Sequence, residues 1–176
     1  AREIPNASEE LLRRVGKLDG GLLIVGMPCS GKTTILRDLA RRISLGIDCR
    51  IMRTSVVDER SELSGTYAGI SKNDLGLADI LNGYSKADGI MQALRTLSPE
   101  AIICDEIGAS SDMQAIEQGV NAGVSIIATI HAESYHELLS RNQGKALIGT
   151  GAKEQYDILN KCPIRHYILA FDGDDA

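Results

Sequence analysis

Residues 26–33 read Gly-Met-Pro-Cys-Ser-Gly-Lys-Thr, a complete G-x-x-x-x-G-K-[ST] loop, and few eight-residue strings restrict a fold so tightly. An apolar run, Leu22, Leu23, Ile24 and Val25, precedes it and reads as a buried strand. From about Lys32 a helical pattern follows, with Ile35, Leu36, Leu39, Ala40 and Ile43 on one face and Arg37, Asp38, Arg41 and Arg42 on the other. Strand, glycine-rich loop and helix in that order make a polyphosphate cradle. Gly26 and Gly31 let the backbone turn its N–H groups inward at the positive end of the helix dipole. In such a cradle Lys32 reaches the β- and γ-phosphates and the Thr33 hydroxyl holds Mg²⁺, which points to a nucleoside triphosphate ligand.

The second chemical motif is an apolar strand that ends in two carboxylates, Ala101-Ile102-Ile103-Cys104-Asp105-Glu106. Acids at the carboxyl end of a parallel strand project toward a ligand held at the switch point. Asp105 is then the Mg²⁺ carboxylate and Glu106 the group that polarises an attacking water. One strand, at about 50–57, intervenes in sequence between the two motifs, as it does in the branch of these NTPases that sets a catalytic glutamate beside the Mg²⁺ aspartate. Two further groups fall at strand ends that open on the same crevice: Asp58-Glu59-Arg60, and His131 after Thr129. Arg60 reads either as an arginine finger or as the ion-pair partner of a neighbouring carboxylate, and His131 either as a phosphate sensor or as a structural hydrogen-bonding group.

The 176 residues suffice for one α/β domain, with an arm or loop over 60–85 that holds four glycines and little periodicity. The chain starts at Ala1 rather than Met, so it reads as an excised, C-terminal part of something longer. A net charge of −5 and an aromatic content of 3% without tryptophan argue against nucleic acid as a partner. No apolar run longer than 167–171 occurs, so no segment is expected to insert in a membrane. Cys29, Cys49, Cys104 and Cys162 are scattered and read as reduced, buried residues of a cytosolic protein, with no zinc site. The remaining pattern predicts a helix opened by a capping box at Asn6-Ala7-Ser8-Glu9 and running to about 17, and a strand over 21–27. Further on it predicts helices over 86–97, 111–121 and 153–160, strands over 101–107, 124–130 and 164–171, and a capping box at Ser134-Tyr135-His136-Glu137. Strands and helices that alternate in this way give a mainly parallel central sheet flanked by helices, a three-layer α/β P-loop NTPase of the RecA/ASCE kind.

Longer stretches carry a resemblance. Cys104-Asp105-Glu106-Ile107-Gly108, Ala122-Gly123-Val124 and Ile127-Ala128-Thr129-Ile130-His131 resemble the Walker B and His-box region of the secretion-superfamily ATPases of type II and type IV systems. Val57-Asp58-Glu59-Arg60 falls where that superfamily has its Asp box. Val56–Leu63, Lys86-Ala87-Asp88-Gly89 and Leu97-Ser98-Pro99-Glu100 are closer still to the stage III sporulation AA family, and the match runs from about residue 20 to 131. The resemblance implies a nucleotide site of Gly26, Met27, Pro28, Cys29, Ser30, Gly31, Lys32, Thr33 and Thr34, metal contacts at Thr33 and Asp105, and catalytic roles for Lys32, Glu106, Glu59, Arg60 and His131. It implies ATP with Mg²⁺, a homo-oligomer in the form of a hexameric ring, and a cytoplasmic position peripheral to the membrane channel complex of the sporulation system. Relatives carry an arginine ahead of the stretch that is Asp79-Ile80-Leu81-Asn82 here; this chain has none between Arg60 and Arg95, which gives Arg60 more weight. Both Glu59 and Glu106 stand as candidates for the base.

Other classes fit less well. The only Asn-Lys, Asn160-Lys161, continues with Cys162-Pro163 and so lacks the aspartate of a guanine reader. Leu63-Ser64-Gly65 imitates the start of a transporter signature but sits about forty residues too early. The arm at 61–85 has none of the arginines of a small-molecule kinase lid. The strongest rival from another class is a non-catalytic scaffold that binds ATP to hold a ring together.

Overall fold

The computed structural model describes residues 4–140 and 166–170. In chain order the elements are α1 (Glu9–Val15), β1 (Leu22–Gly26), α2 (Lys32–Leu45), β2 (Thr54–Asp58), β3 (Asp79–Asn82), α3 (Lys86–Thr96), β4 (Ala101–Cys104), α4 (Ser110–Asn121), β5 (Ser125–His131), α5 (Tyr135–Ser140) and β6 (His166–Ala170). The six strands form one sheet in the order β3-β2-β4-β5-β1-β6, and every pairing is parallel. Strands buried on both sides need apolar residues at consecutive positions, which is what residues 22–25, 101–104 and 126–128 supply.

Side chains of one strand alternate between two cores. Leu22, Ile24, Val56, Ile103 and Ile127 pack with Leu12 of α1 and with Leu36, Leu39 and Ile43 of α2. Leu23, Val25, Val57, Ile102, Cys104 and Ile126 pack with Ile90 and Ala93 of α3, Ala115 and Ile116 of α4 and Leu138 of α5. Helices therefore cover both faces, and the three-layer α/β arrangement is the one expected. Strand β5 lies between β1 and β4 in space, so the loop-bearing and acid-bearing strands are separated by one strand.

Four expectations need correction. The segment 60–85 is not wholly loop: Asp79–Asn82 pairs with β2 as an edge strand, with Val57 opposite Leu81. The polar face of α2 does not face water, because residues 4–8 and the arm lie over it. Arg42, 2% exposed, meets Asp38, Asp48 and Asn6, while Arg37 donates to the carbonyls of Leu63 (3.0 Å) and Glu62. The arm closes on α2 at Gly76, where an added Cβ would fall 2.4 Å from Ser44 Oγ and 2.9 Å from the Arg41 carbonyl, so no larger residue fits. The capping box expected at Asn6-Ala7-Ser8-Glu9 does not form: the Asn6 N–H donates to Asp38 (3.3 Å) and its Oδ1 accepts from Arg42 (2.6 Å), while the Ser8 N–H and Oγ both donate to Asp38, at 2.8 and 2.7 Å. Cys29 is exposed and Cys49 half-buried, so only Cys104 matches the buried expectation; burial pushes its thiol up to about 12. Cys162 and the helix expected at 153–160 lie outside the described residues. At Ser134 the expected cap forms, with the Glu137 N–H donating to Ser134 Oγ at 3.1 Å.

Candidate nucleotide site

Parallel registers bring the carboxyl ends of four strands to one edge. Gly26 of β1 stands opposite His131 of β5, Ala128 of β5 opposite Cys104 of β4, and Cys104 opposite Val57 of β2. One residue further along, the register sets Thr129, Asp105 and Asp58 level with one another. A cleft of about 610 Å³ opens there, walled by Pro28, Cys29, Gly31, Lys32, Thr33, Thr34, Glu62, Asp105, Glu106 and His131.

The loop turns through residues of left-handed backbone, Cys29 (φ 64°) and Gly31 (φ 92°), and Gly31 is the N-cap of α2. Only a glycine adopts such a backbone without strain, and Gly31 carries the turn that aims the first N–H groups of α2 outward. Lys32 folds along the loop, its Nζ donating to the carbonyls of Gly26 (2.8 Å) and Met27 (2.5 Å) and reaching Ser30 Oγ at 3.4 Å. Burial draws the Lys32 ammonium below the usual lysine range, opposed by the charges of Asp105 and Glu106. That ammonium is buried in the protein and held by neutral oxygens.

Asp105 ties the loop to the sheet. Its Oδ2 accepts from Thr33 Oγ1 at 3.1 Å, and its Oδ1 accepts from Thr129 Oγ1 at 2.6 Å and from the Glu106 N–H at 2.9 Å. Thr129, fully buried on β5, also accepts from the Glu106 N–H at 2.8 Å, so the intervening strand braces the acid pair from the side. The chain leaves β4 sharply, with Glu106 at φ 35°, which ends the strand at Cys104 rather than at 107 and turns the glutamate toward the cleft. Glu106 there meets Arg60 Nη1 at 3.4 Å and His131 Nε2 at 3.7 Å. His131 Nδ1 is buried and meets no hydrogen-bond partner among the described residues.

The residues after β2 divide. Asp58 is buried and its carboxylate is taken up by the arm, accepting from the N–H groups of Leu63 (3.2 Å) and Ser64 (2.7 Å) and from Ser64 Oγ (2.6 Å). Glu59 pairs with Lys86 Nζ at 2.8 Å rather than with Arg60. Sequence reasoning missed Lys86 and the bracing hydroxyl of Thr129. A signal for the first exists: a lysine directly after the Ser85 cap stands at the positive end of α3, where a cation is disfavoured.

A Thr33 hydroxyl and an Asp105 carboxylate 3.1 Å apart are oxygen donors of the hard type that Mg²⁺ takes. Among the described residues no three His, Cys, Asp or Glu side chains gather into a metal cage.

A glycine-rich loop between a buried strand and helix, with one strand interposed in the sheet before an acid-tipped strand, defines a three-layer α/β P-loop fold. Two solved structures share it. They are the DotB ATPase of Yersinia pseudotuberculosis (TM-score 0.61, 19% identity, 90% of this chain and 42% of that one) and the pilus retraction motor PilT with bound ADP (TM-score 0.61, 18% identity, 89% and 44%). At the level of sequence the profile of the family described as sporulation stage III, protein AA matches residues 1–166, and the chain belongs to that family. It is 42% identical over 136 residues to stage III sporulation protein AA of Bacillus subtilis (strain 168), over 76% of this chain and 44% of the relative. The chain thus spans less than half the length of that relative. Among the described residues no helix is long and apolar enough to cross a membrane.

Proposed function

We propose that this domain binds ATP with Mg²⁺ and hydrolyses it to drive or gate a membrane-associated sporulation channel complex. The observation that carries the reading is the chain of contacts Thr33–Asp105–Thr129, which couples the phosphate loop to the acid pair across β5. In this reading the backbone of Gly26, Met27, Pro28, Cys29, Ser30 and Gly31 wraps the phosphates, with Thr34 adding a hydroxyl. Lys32 exchanges its loop carbonyls for the β- and γ-phosphates, and Thr33 and Asp105 hold the ion. The ion neutralises the phosphate oxygens when bound. Glu106 takes the proton of the attacking water, and His131, beside it, reads the state of the γ-phosphate. Arg60 supplies positive charge to that end of the cleft.

The resemblance to secretion ATPases supports a homo-oligomeric ring, hexameric in the full-length protein and cytoplasmic at the face of its membrane complex. Turnover by the isolated domain is then slow and rises on assembly, since an arginine contributed in trans is worth ~10³ or more in rate. Lys32→Ala removes the phosphate clamp, and equilibrium binding of labelled ATP together with a phosphate-release assay tests it. Loss of both is the expected result, and undiminished turnover overturns the assignment. Tight binding without turnover in the wild-type ring would establish the scaffold instead.

A further inference from the structure

Lys86 is a costly residue where it stands. It opens α3, where the helix dipole repels a cation, and its side chain is only 10% exposed. The helix does not need it for its start: Ser85 Oγ accepts from the Asp88 N–H at 3.2 Å and donates to the Asp88 carboxylate at 2.7 Å, a complete cap with the acid on the favourable side. Gly89, one turn on, presses this end of α3 against β2, because an added Cβ would meet Val57 Cγ1 at 2.4 Å. The ammonium is thereby held at the end of β2, where Glu59 is its partner at 2.8 Å.

Consecutive residues of one turn therefore reach opposite ways. Glu59 goes to the buried Lys86, and Arg60 goes to Glu106. The turn cannot swivel to exchange them, because Asn82 Nδ2 donates to the Asp58 carbonyl (3.1 Å) and Ser61 Oγ (2.7 Å), and the Gly83 N–H donates to the same carbonyl (3.2 Å). The two glutamates are held unequally. Glu59 has a close, buried cation; Glu106 has contacts of 3.4 and 3.7 Å to Arg60 and His131. Both glutamates, with Arg60 and Lys86, line one small cleft beside Asp105.

We infer that Lys86 is a positioning residue, which neutralises Glu59 and holds it away from the attacking water, so that Glu106 alone serves as the base. This rests on the reading of the domain as an ATPase. The role is distinct from a stabilising ion pair, for which the double deletion would restore the unfolding midpoint; here it should restore kcat in variants whose midpoints are close to wild type. Without Lys86, the freed Glu59 carboxylate adds an uncompensated negative charge where the γ-phosphate is attacked and competes for the same water.

The test is a double-mutant cycle in the full-length protein with Mg·ATP, reading kcat, KM and ATP binding separately, with thermal unfolding as the control for folding. Lys86→Met should lower kcat on the order of tenfold, the size of one uncompensated charge at close range, with a smaller loss in ATP binding. Glu59→Gln should stay within about threefold of wild type, and Lys86→Met combined with Glu59→Gln should return to about that level. Lys86→Arg should keep the pair and the rate. If Glu59→Gln alone abolishes turnover, Glu59 is the base and the inference is overturned. If the double variant is as slow as Lys86→Met, Lys86 does not act through Glu59 and the inference is equally overturned. Should Lys86→Met not fold, Lys86→Arg and the uncharged double variant carry the same decision. A wild-type protein with no turnover at all removes the ATPase reading itself, and the inference with it.

Discussion

Strands β2 and β4 are neighbours, run the same way and end at the same level in the same two letters, Asp58-Glu59 and Asp105-Glu106. The chemistry at the two ends differs because of what the chain does next. After Glu106 the backbone swings off at φ 35° and leaves Asp105 open to the cleft, where it takes the Thr33 hydroxyl. After Glu59 the arm folds back over Asp58, and the N–H groups of Leu63 and Ser64 consume that carboxylate inside the protein. One pair is presented to a ligand and the other is spent on building a turn. An acid at a strand end is a site only where the following residues leave one of its oxygens facing the cleft, as Asp105 Oδ2 does beside Thr33 while Oδ1 is taken by the Glu106 N–H.

That contrast breaks most easily at Asp105. Asp105→Ala should cost roughly a thousandfold in Mg²⁺-dependent turnover, far more than the stability lost by freeing the Thr33 and Thr129 hydroxyls; a variant that keeps its rate would make the two aspartates equivalent. Glu106→Gln should come next, with roughly a hundredfold loss of kcat and retained ATP binding, read by trapping labelled nucleotide on the protein. Asp58→Ala should act through stability. It strands two buried N–H donors and a hydroxyl, at about 3 kcal/mol in a urea titration, and correctly folded protein should still bind nucleotide. The smallest effect sharpens the same distinction with pH. Burial raises the Asp38 carboxyl, but the Ser8 hydrogen bonds and the Arg42 guanidinium outweigh it and hold Asp38 below its ordinary 3.8. A depressed carboxyl adds stability that is fully present above that value and is lost as pH falls through the folded value. Below about pH 4, Asp38→Asn should flatten the stability slope, and an unchanged slope would overturn the depressed carboxyl.

The phosphate loop and the acid-tipped strand were legible in the sequence because each is written within a dozen consecutive residues, with the apolar run adjoining it. The layers followed from the alternation of such runs with helical patterns. What escaped was decided by partners distant in sequence. Strand β3 has four residues and no apolar run, and only its pairing with β2 makes it a strand. Arg37, Asp38 and Arg42 look like an ordinary wet helix face, because the segments that cover them lie some 25 to 36 residues away. Asn6 looks like the head of a capping box until Asp38 and Arg42, 32 and 36 residues on, take its N–H and its side-chain oxygen. The pairing of Glu59 with Lys86 depends on the close approach of α3 to β2, which no local pattern announces.

The clamp around Arg42 has a mechanical consequence. Asn6 and Ser8 are bonded to Arg42 and Asp38, and those two lie on the helix whose first residue is Lys32. A pull on the peptide at Asn6 is a pull on α2, delivered through buried charges that resist separation, since stranding one partner of such a pair costs about 3–5 kcal/mol. The strand of peptide at residues 4–8 is thus a tether fastened to the rod that carries the phosphate loop. Force applied upstream in a longer polypeptide reaches the nucleotide end of that rod without passing through the sheet.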